Sequence, residues 1–164
     1  MNLKPIPNYE GLYSFDFNTN QVYSHYYKRY MKPALNSAGY YNIGLCKNGK
    51  VKKVGFHILI YQMYNGEIPD NIQIDHIDND KSNNNIENLR LATQSQNNMN
   101  RITPKSNLST RYKNIEKTKF NTYRVRIKKN KKIVYSKTFK TLEEAILNRD
   151  LNLKIIHGDF YNLG

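Results

Sequence analysis

The feature that most restricts the fold of this chain is a central segment, residues 72–100, in which short apolar runs alternate with polar ones. An initial Ile-Gln-Ile run has the length of a short strand and leads directly into Asp75-His76. An Asn-rich polar loop follows, and the next apolar run, residues 86–91, fits a short strand or a turn. Thr93 is a good N-cap for a closing helix. The segment therefore predicts a strand, a loop, a second strand or turn, and a helix.

Both flanks of this segment predict further modules. On the N-terminal side, residues 1–53 are rich in Tyr, and an Asn-Gly pair between two alternating runs is a strong hairpin signal. On the C-terminal side, apolar and basic residues alternate over residues 122–128, as in a strand with one buried face. Further on, Thr141 with Glu144 three residues later forms a capping box, which predicts the start of a last helix.

These patterns predict an α+β fold. The central segment is flanked by a small β-rich N-terminal module and by a C-terminal module with a three-stranded sheet plus a helix. A Pro-Lys-Ser-Asn stretch before the C-terminal module has the composition of a linker. The predicted boundaries are 1–53 for the N-terminal module, 54–103 for the central module, 104–110 for the linker and 111–164 for the C-terminal module.

The charge of the chain is large and unevenly distributed. The 164 residues carry 26 Lys and Arg against 13 Asp and Glu, a net charge of +13, which points to a polyanionic partner. Residues 104–140 hold almost all of this excess, with Glu116 as their one acid, whereas residues 65–90 have a net negative charge. A basic region can neutralise phosphates and an acidic one can hold a divalent cation. A solvated, charged face is the alternative for the basic region.

Several classes of protein are excluded by the composition. No apolar run approaches the length of a transmembrane helix, and the N-terminus has no apolar signal-peptide segment. We therefore expect neither a membrane partner nor secretion. Cys46 is the one cysteine, so a disulfide framework and a cysteine zinc site are both excluded.

The central segment resembles the ββα-metal finger of HNH endonucleases. The resemblance runs from Asp75-His76 through the Glu-Asn-Leu-Arg-Leu-Ala-Thr stretch to Asn97, in the branch of the family whose last His is an Asn. It implies a metal-dependent DNA endonuclease that hydrolyses phosphodiester bonds, of the homing or mobile-element kind found in phages and viruses. The implied location is intracellular, in the cytoplasm of a host cell or associated with a virion.

The same resemblance implies roles for four residues. His76 is the general base, because an imidazole can accept a proton at neutral pH. Asp75 and Asn97 are the metal ligands, and hard oxygen donors of this kind suit Mg²⁺ or Mn²⁺. Asn88 is the catalytic residue that orients His76 or the loop across the finger, with simple capping of the polar loop as the alternative.

Five nearby positions stay open. Asn98 and Asn100 are alternatives to the implied second metal ligand, since one sequence does not fix the register of the helix. Asp78 and Asp80 could assist the metal, or they could form Asx turns in the loop. His57 opens the helix before the finger and is expected mainly to pack or to contact a phosphate, with a catalytic role as the lesser alternative.

The C-terminal module resembles the DNA-binding domain of the Apetala/ethylene-response-factor type. The resemblance rests on the Tyr-Lys-Asn-Ile stretch at residues 112–115, on Glu-Glu-Ala at 143–145 and on the His-Gly-Asp-Phe ending. Asn114 replaces a usual Gly and the usual Trp is missing, so base specificity does not carry over. The expected contacts to double-stranded DNA are Arg111, Lys113, Arg124, Arg126, Lys128 and Lys137. The segment around residues 5–13 resembles a nuclease-associated motif that precedes HNH fingers.

Other functions remain open at this stage. The chain could be a sequence-specific DNA-binding regulator with an inactive nuclease scaffold, or a basic RNA-binding protein that stacks bases on its tyrosines. No small-molecule cofactor is expected. The chain could act as a monomer, which would nick one strand, or as a homodimer, which could cut both.

Overall fold

The computed structural model describes residues 2–101 and 109–161, which contain twelve strands and three α-helices. This mixture of sheet and helix agrees with the predicted α+β class. The chain divides into two compact units, Met1–Leu91 and Ala92–Gly164. Most of the predicted linker, residues 104–108, lies outside the described residues. No helix in the described part of the chain combines the length and the apolar character needed to cross a membrane.

The first unit consists mainly of small antiparallel sheets and one helix. Its first four strands form one sheet and the next three form another. The helix, α1, spans Phe56–Asn65. The strands of the unit are β1 (Leu3–Pro5), β2 (Tyr13–Asp16), β3 (Gln21–Ser24), β4 (Arg29–Tyr30), β5 (Ala34–Leu35), β6 (Tyr41–Lys47), β7 (Lys50–Gly55) and β8 (Ile72–His76).

One hydrophobic core joins the two sheets, α1 and β8. Phe15 and Val22 from the first sheet are fully buried, and they cluster with Ile43 of β6, Ile60 of α1 and Ile74 of β8. The predicted boundary between residues 53 and 54 is therefore not a boundary of the core. A segment of about 50 residues buries too little apolar surface to be stable by itself, so the N-terminal strands and α1 depend on each other.

Helix α1 begins and ends at glycines. Gly55 precedes it. A Cβ at this position would lie only 3.0 Å from the His57 ring, so glycine leaves the space in which that ring packs against the backbone. Gly66 follows it with φ 88°, and its N–H donates to Gln62 O. The Asn-Gly pair thus ends the helix, as the sequence predicts.

The predicted finger is present as consecutive elements. Strand β8 pairs with β9 (Leu89–Thr93), and a short 3₁₀ helix, Ile86–Asn88, precedes β9. Helix α2 (Gln94–Asn100) follows, with a capping box in which Thr93 and Gln96 satisfy each other's backbone N–H groups. The division between the two compact units falls inside β9, so α2 belongs to the second unit.

The second unit also contains a three-stranded antiparallel sheet and the longest helix. The sheet has the order β10 (Ile115–Lys117), β11 (Tyr123–Lys129) and β12 (Lys132–Phe139). Helix α3 (Leu142–His157) begins with the predicted Thr141–Glu144 capping box. The core of this unit consists of Ile115, Val125, Ile127, Ala145 and Leu153. The alternation along β11 therefore buries its apolar side chains against α3, as predicted.

Candidate active site

Asp75 lies near the end of β8 and is only 5% exposed. Arg90 of β9 binds its carboxylate: Nε and Nη2 each lie 2.9 Å from Oδ2. A carboxylate is costly to remove from water, and a charged, hydrogen-bonded partner offsets that cost. The ion pair therefore holds the Asp75 carboxylate in one orientation.

His76, the next residue, is equally buried and has a different partner. Its Nε2 lies 3.0 Å from Asn84 Oδ1. Asn84 Nδ2 donates to Ser82 O at 3.3 Å, which turns the amide oxygen toward the ring. His76 therefore donates through Nε2, and in the neutral ring Nδ1 is the nitrogen that can accept a proton. Sequence reasoning missed Asn84, because three consecutive asparagines look alike until their geometry is known.

Two further rings pack beside His76. The centroids of His57 and His76 are 5.1 Å apart, as are those of Tyr40 and His57. Burial, and then the nearby His76, lower the pKa of His57 from 6.5 to about 4. His57 is therefore neutral at physiological pH. Its Nδ1 is buried and makes no hydrogen bond to any residue that the structure describes. These contacts fit the predicted packing role.

Asn88 braces the polar loop. Its Nδ2 donates to Asp78 Oδ1 at 2.9 Å and to Asn83 O at 2.8 Å, and its Oδ1 accepts from Asp78 N at 3.1 Å. The sequence leaves open whether Asn88 orients His76 or the loop, or simply caps the polar loop. These contacts are all made within the loop. The amide that contacts His76 Nε2 belongs to Asn84 instead.

Asp78 and Asp80 form consecutive Asx turns. Asp78 Oδ1 accepts from Asp80 N at 2.8 Å, and Asp80 Oδ1 accepts from Ser82 N at 2.9 Å. Burial acts to raise the pKa of Asp78, but hydrogen bonds from Asn83 and Asn88 outweigh it, and the pKa lies below its usual value. Across residues 2–101 and 109–161, no three His, Cys, Asp or Glu side chains cluster as metal ligands.

The three asparagines proposed as the second ligand lie on α2, in the second unit. Asn97 and Asn100 are three residues apart and therefore share one side of the helix, where Asn100 is only 2% exposed. Asn98 points in another direction and accepts a hydrogen bond from Gln94 Nε2 at 3.3 Å. The helix geometry thus separates Asn98 from the other two.

The structure brings together only part of the predicted DNA-binding set. Arg124 and Arg126 lie on the sheet face away from α3, and Glu116 binds both, with Oε1 at 3.5 Å from Arg124 Nη1 and 3.2 Å from Arg126 Nη2. Lys137 is paired in register with the buried Val125. Because directly opposite residues of an antiparallel pair share a face, Lys137 lies on the other face of the sheet.

Three more residues of that set have different surroundings. Lys128 and Arg111 are exposed. Lys113 is half-buried, and its Nζ donates to Met99 O at 2.8 Å and to Arg101 O at 2.9 Å, at the C-terminal end of α2. Burial lowers the pKa of Lys113. These contacts make Lys113 a brace between α2 and the C-terminal sheet.

The order of elements around Asp75 and His76 is that of a ββα finger: strand, loop, strand, capped helix. Residues 54–99 match a family model described as HNH endonuclease. This part of the chain is thus similar to HNH endonucleases, and the chain is homologous to phage and viral proteins described as such. The resemblance implied by the sequence is thus confirmed for the finger.

Two curated relatives illustrate the similarity. The chain is 36% identical over 109 residues to an uncharacterized HNH endonuclease of Acanthamoeba polyphaga mimivirus, an alignment that covers 66% of this chain and 56% of the relative. It is 37% identical over 94 residues to DNA endonuclease I-HmuI of Bacillus phage SP01, covering 57% of this chain and 53% of the relative. The chain thus spans about half the length of the curated relatives it matches.

A solved structure is similar over a longer stretch. It is described as "DNA binding and cleavage by the HNH homing endonuclease I-HmuI". The similarity has a TM-score of 0.55 at 26% identity and covers 97% of this chain and 91% of that chain.

Proposed function

We propose that the chain is a metal-dependent DNA endonuclease of the homing or mobile-element kind. The observation that carries this proposal is the adjacent, buried pair Asp75-His76, in which each side chain has its own fixed partner. Buried ionisable groups cost stability, and such pairs are concentrated at functional sites. The family assignment of residues 54–99 and the names of the relatives support the same function.

The donor chemistry fits a hard divalent ion. Asp75 supplies a buried carboxylate, and Asn97 is proposed to supply an amide oxygen; both suit Mg²⁺ or Mn²⁺. Because Arg90 shares the charge of Asp75, the ion is expected to bind weakly. When bound, it would supply positive charge to the scissile phosphate and the leaving oxygen.

His76 is proposed to take a proton from the attacking water. The Asn84 contact leaves Nδ1 of the neutral ring as the accepting atom, and it fixes the plane in which that lone pair points. Asn88 acts indirectly. It donates hydrogen bonds to Asp78 and Asn83 and so holds in place the loop that carries Asn84. Asn88 is thus proposed as a positioning residue.

Phosphate contacts are proposed to come from the basic C-terminal residues, with double-stranded DNA as the partner. Such contacts fix the position of a protein on DNA without reading its sequence. The pair Arg124 and Arg126 shares one sheet face and is the strongest candidate. Since one chain contains one finger, a monomer is expected to cut one strand. The full proposed set is Arg111, Lys113, Arg124, Arg126, Lys128 and Lys137.

The test is the conversion of supercoiled plasmid to nicked circles in the presence of Mg²⁺. The wild type should cut, His76→Ala should lose at least about a hundredfold in rate, and EDTA should abolish cutting. His25→Ala is the matched control, since His25 is an exposed histidine of the same unit. Equal amounts of intact supercoil with wild type and His76→Ala would refute the catalytic proposal. Tight duplex binding without cutting would instead point to a DNA-binding regulator.

A further inference from the structure

A cavity of about 780 Å³ lies in the second unit, among α2, the turn between β11 and β12, and the C-terminal end of α3. We propose that this cavity binds a phosphate group, and that in the intact system the group belongs to the backbone of DNA. The DNA part of this inference rests on the proposed endonuclease function. The volume exceeds that of one phosphate and suits a nucleotide-sized segment.

The lining of the cavity is strongly cationic. Lys113, Arg126, Lys128 and Lys131 contribute to it together with His157, and none of the described residues that line it is acidic. Burial, and then the nearby cations Lys129 and Lys113, lower the pKa of His157, as expected where like charges face each other. An anion bound in the cavity would favour the protonated, charged form of His157.

Unused hydrogen-bonding capacity accompanies the charge. Arg126 Nε and His157 Nδ1 are buried, and neither makes a hydrogen bond within the described part of the chain. The other end of the Arg126 guanidinium binds Glu116, so one side chain combines a structural ion pair with a spare donor. Phosphate oxygens accept several hydrogen bonds at once and match such donors.

The turn between β11 and β12 adds an unusual lysine. Its two central residues, Asn130 and Lys131, have φ values of 51° and 65°, so both lie in the left-handed region. Turns of this type favour Asn followed by Gly, and a lysine in the second position carries a conformational cost. Lys128 and Lys131 form no ion pair with any described residue, so their charges are available to a ligand.

Helix α2 supplies neutral donors and acceptors to the same cavity. Gln94, Ser95 and Asn98 line it, and Ser95 Oγ donates to Asn130 Oδ1 at 3.2 Å. Asn97 is not one of the α2 residues that line the cavity. A phosphate in the cavity would therefore contact the helix that carries the proposed metal ligand.

The experiment compares two double variants of the full chain in EDTA, so that no cutting is needed. Lys128→Met with Lys131→Met removes two charges from the cavity. Lys119→Met with Lys140→Met removes two exposed charges near the other end of β11. Duplex affinity is measured by fluorescence anisotropy as a function of salt. We expect the cavity variant to lose about thirtyfold in affinity at 100 mM salt and the slope of log K against log [salt] to fall by about two. The control should change far less.

A second measurement identifies the source of the phosphate and needs no variant. Inorganic pyrophosphate is titrated into the ¹⁵N-labelled wild type, and the amide shifts of Ser95, Asn114, Asn130 and Lys131 are followed. Saturable shifts there, with unchanged duplex binding in the cavity variant, would retain the phosphate site but assign it to a free phosphate compound. No shifts, together with equal salt slopes for both double variants, would overturn the proposal. Neither result depends on His76, so failure of the endonuclease proposal is read separately.

Discussion

Arg90 Nε lies 2.9 Å from Asp75 Oδ2, and the two side chains are 16% and 5% exposed. The carboxylate proposed to bind the metal is therefore already paired with a guanidinium inside the fold. This pairing limits the negative charge that Asp75 offers to a cation.

Replacing Arg90 by Met should destabilise the first unit by about 3 kcal/mol, because it leaves a buried carboxylate without its counter-charge. Urea unfolding of the full chain measures this loss. Adding Asp75→Asn to Arg90→Met should restore more than half of it. Strictly additive effects in this double-mutant cycle would show that the ion pair contributes nothing beyond its parts.

Asn84→Ala should lower kcat for plasmid cutting by about tenfold and leave KM nearly unchanged, because the His76 ring loses the partner that fixes its orientation. Asn85→Ala is the matched control: this neighbouring amide caps the 3₁₀ helix, through a 3.3 Å contact with Glu87 N. Initial rates over a range of plasmid concentrations separate the two parameters. Similar losses in both variants would assign Asn84 to the loop alone.

His57 should make the first unit sensitive to mild acid. Its pKa is about 4 in the folded chain and 6.5 in the reference state, so the unfolded chain binds more protons between these values. Stability should therefore fall as the pH drops from 6.5 to 4, by up to about 3 kcal/mol. His57→Phe should flatten this part of the profile.

Denaturant unfolding at several pH values above 4 measures the effect. This pH range lies above the ordinary pKa of aspartate, so that the change is assigned to histidine. His25→Phe, at an exposed position, should leave the slope as it is in the wild type. Parallel profiles for the wild type and His57→Phe would contradict the buried, neutral state of His57.

Glu116→Gln should strengthen duplex binding by about threefold and steepen its salt dependence, since Arg124 and Arg126 would lose the carboxylate that now neutralises them. Glu143→Gln removes an exposed acid from the first turn of α3 and serves as the control. Anisotropy titrations in EDTA compare the two. An increase of the same size in both variants would indicate a general charge effect.

The sequence alone determined the local features of this protein. Helix caps, the end of α1 at Asn65-Gly66 and the alternation along β11 depend on neighbouring residues, and the structure has them as predicted. The finger was recognisable because its residue types occur in a fixed order at short spacing, and residues 54–99 do match the family.

Tertiary structure decided which of several similar side chains makes each contact. Asn84, rather than Asn88, reaches His76, because the fold of the loop sets the distance between their atoms. The pairing register places Lys137 opposite Val125, and Lys113 turns back to the end of α2.

Tertiary structure also decided where the modules begin and end. Residues 1–53 look like a separate module in the sequence, yet Phe15 and Ile60 are buried in one core. A linear pattern shows which residues are apolar. It does not show which of them pack together, because the hydrophobic effect is non-directional. Long-range contacts, and with them the partners of Asp75 and His76, are therefore properties of the folded chain.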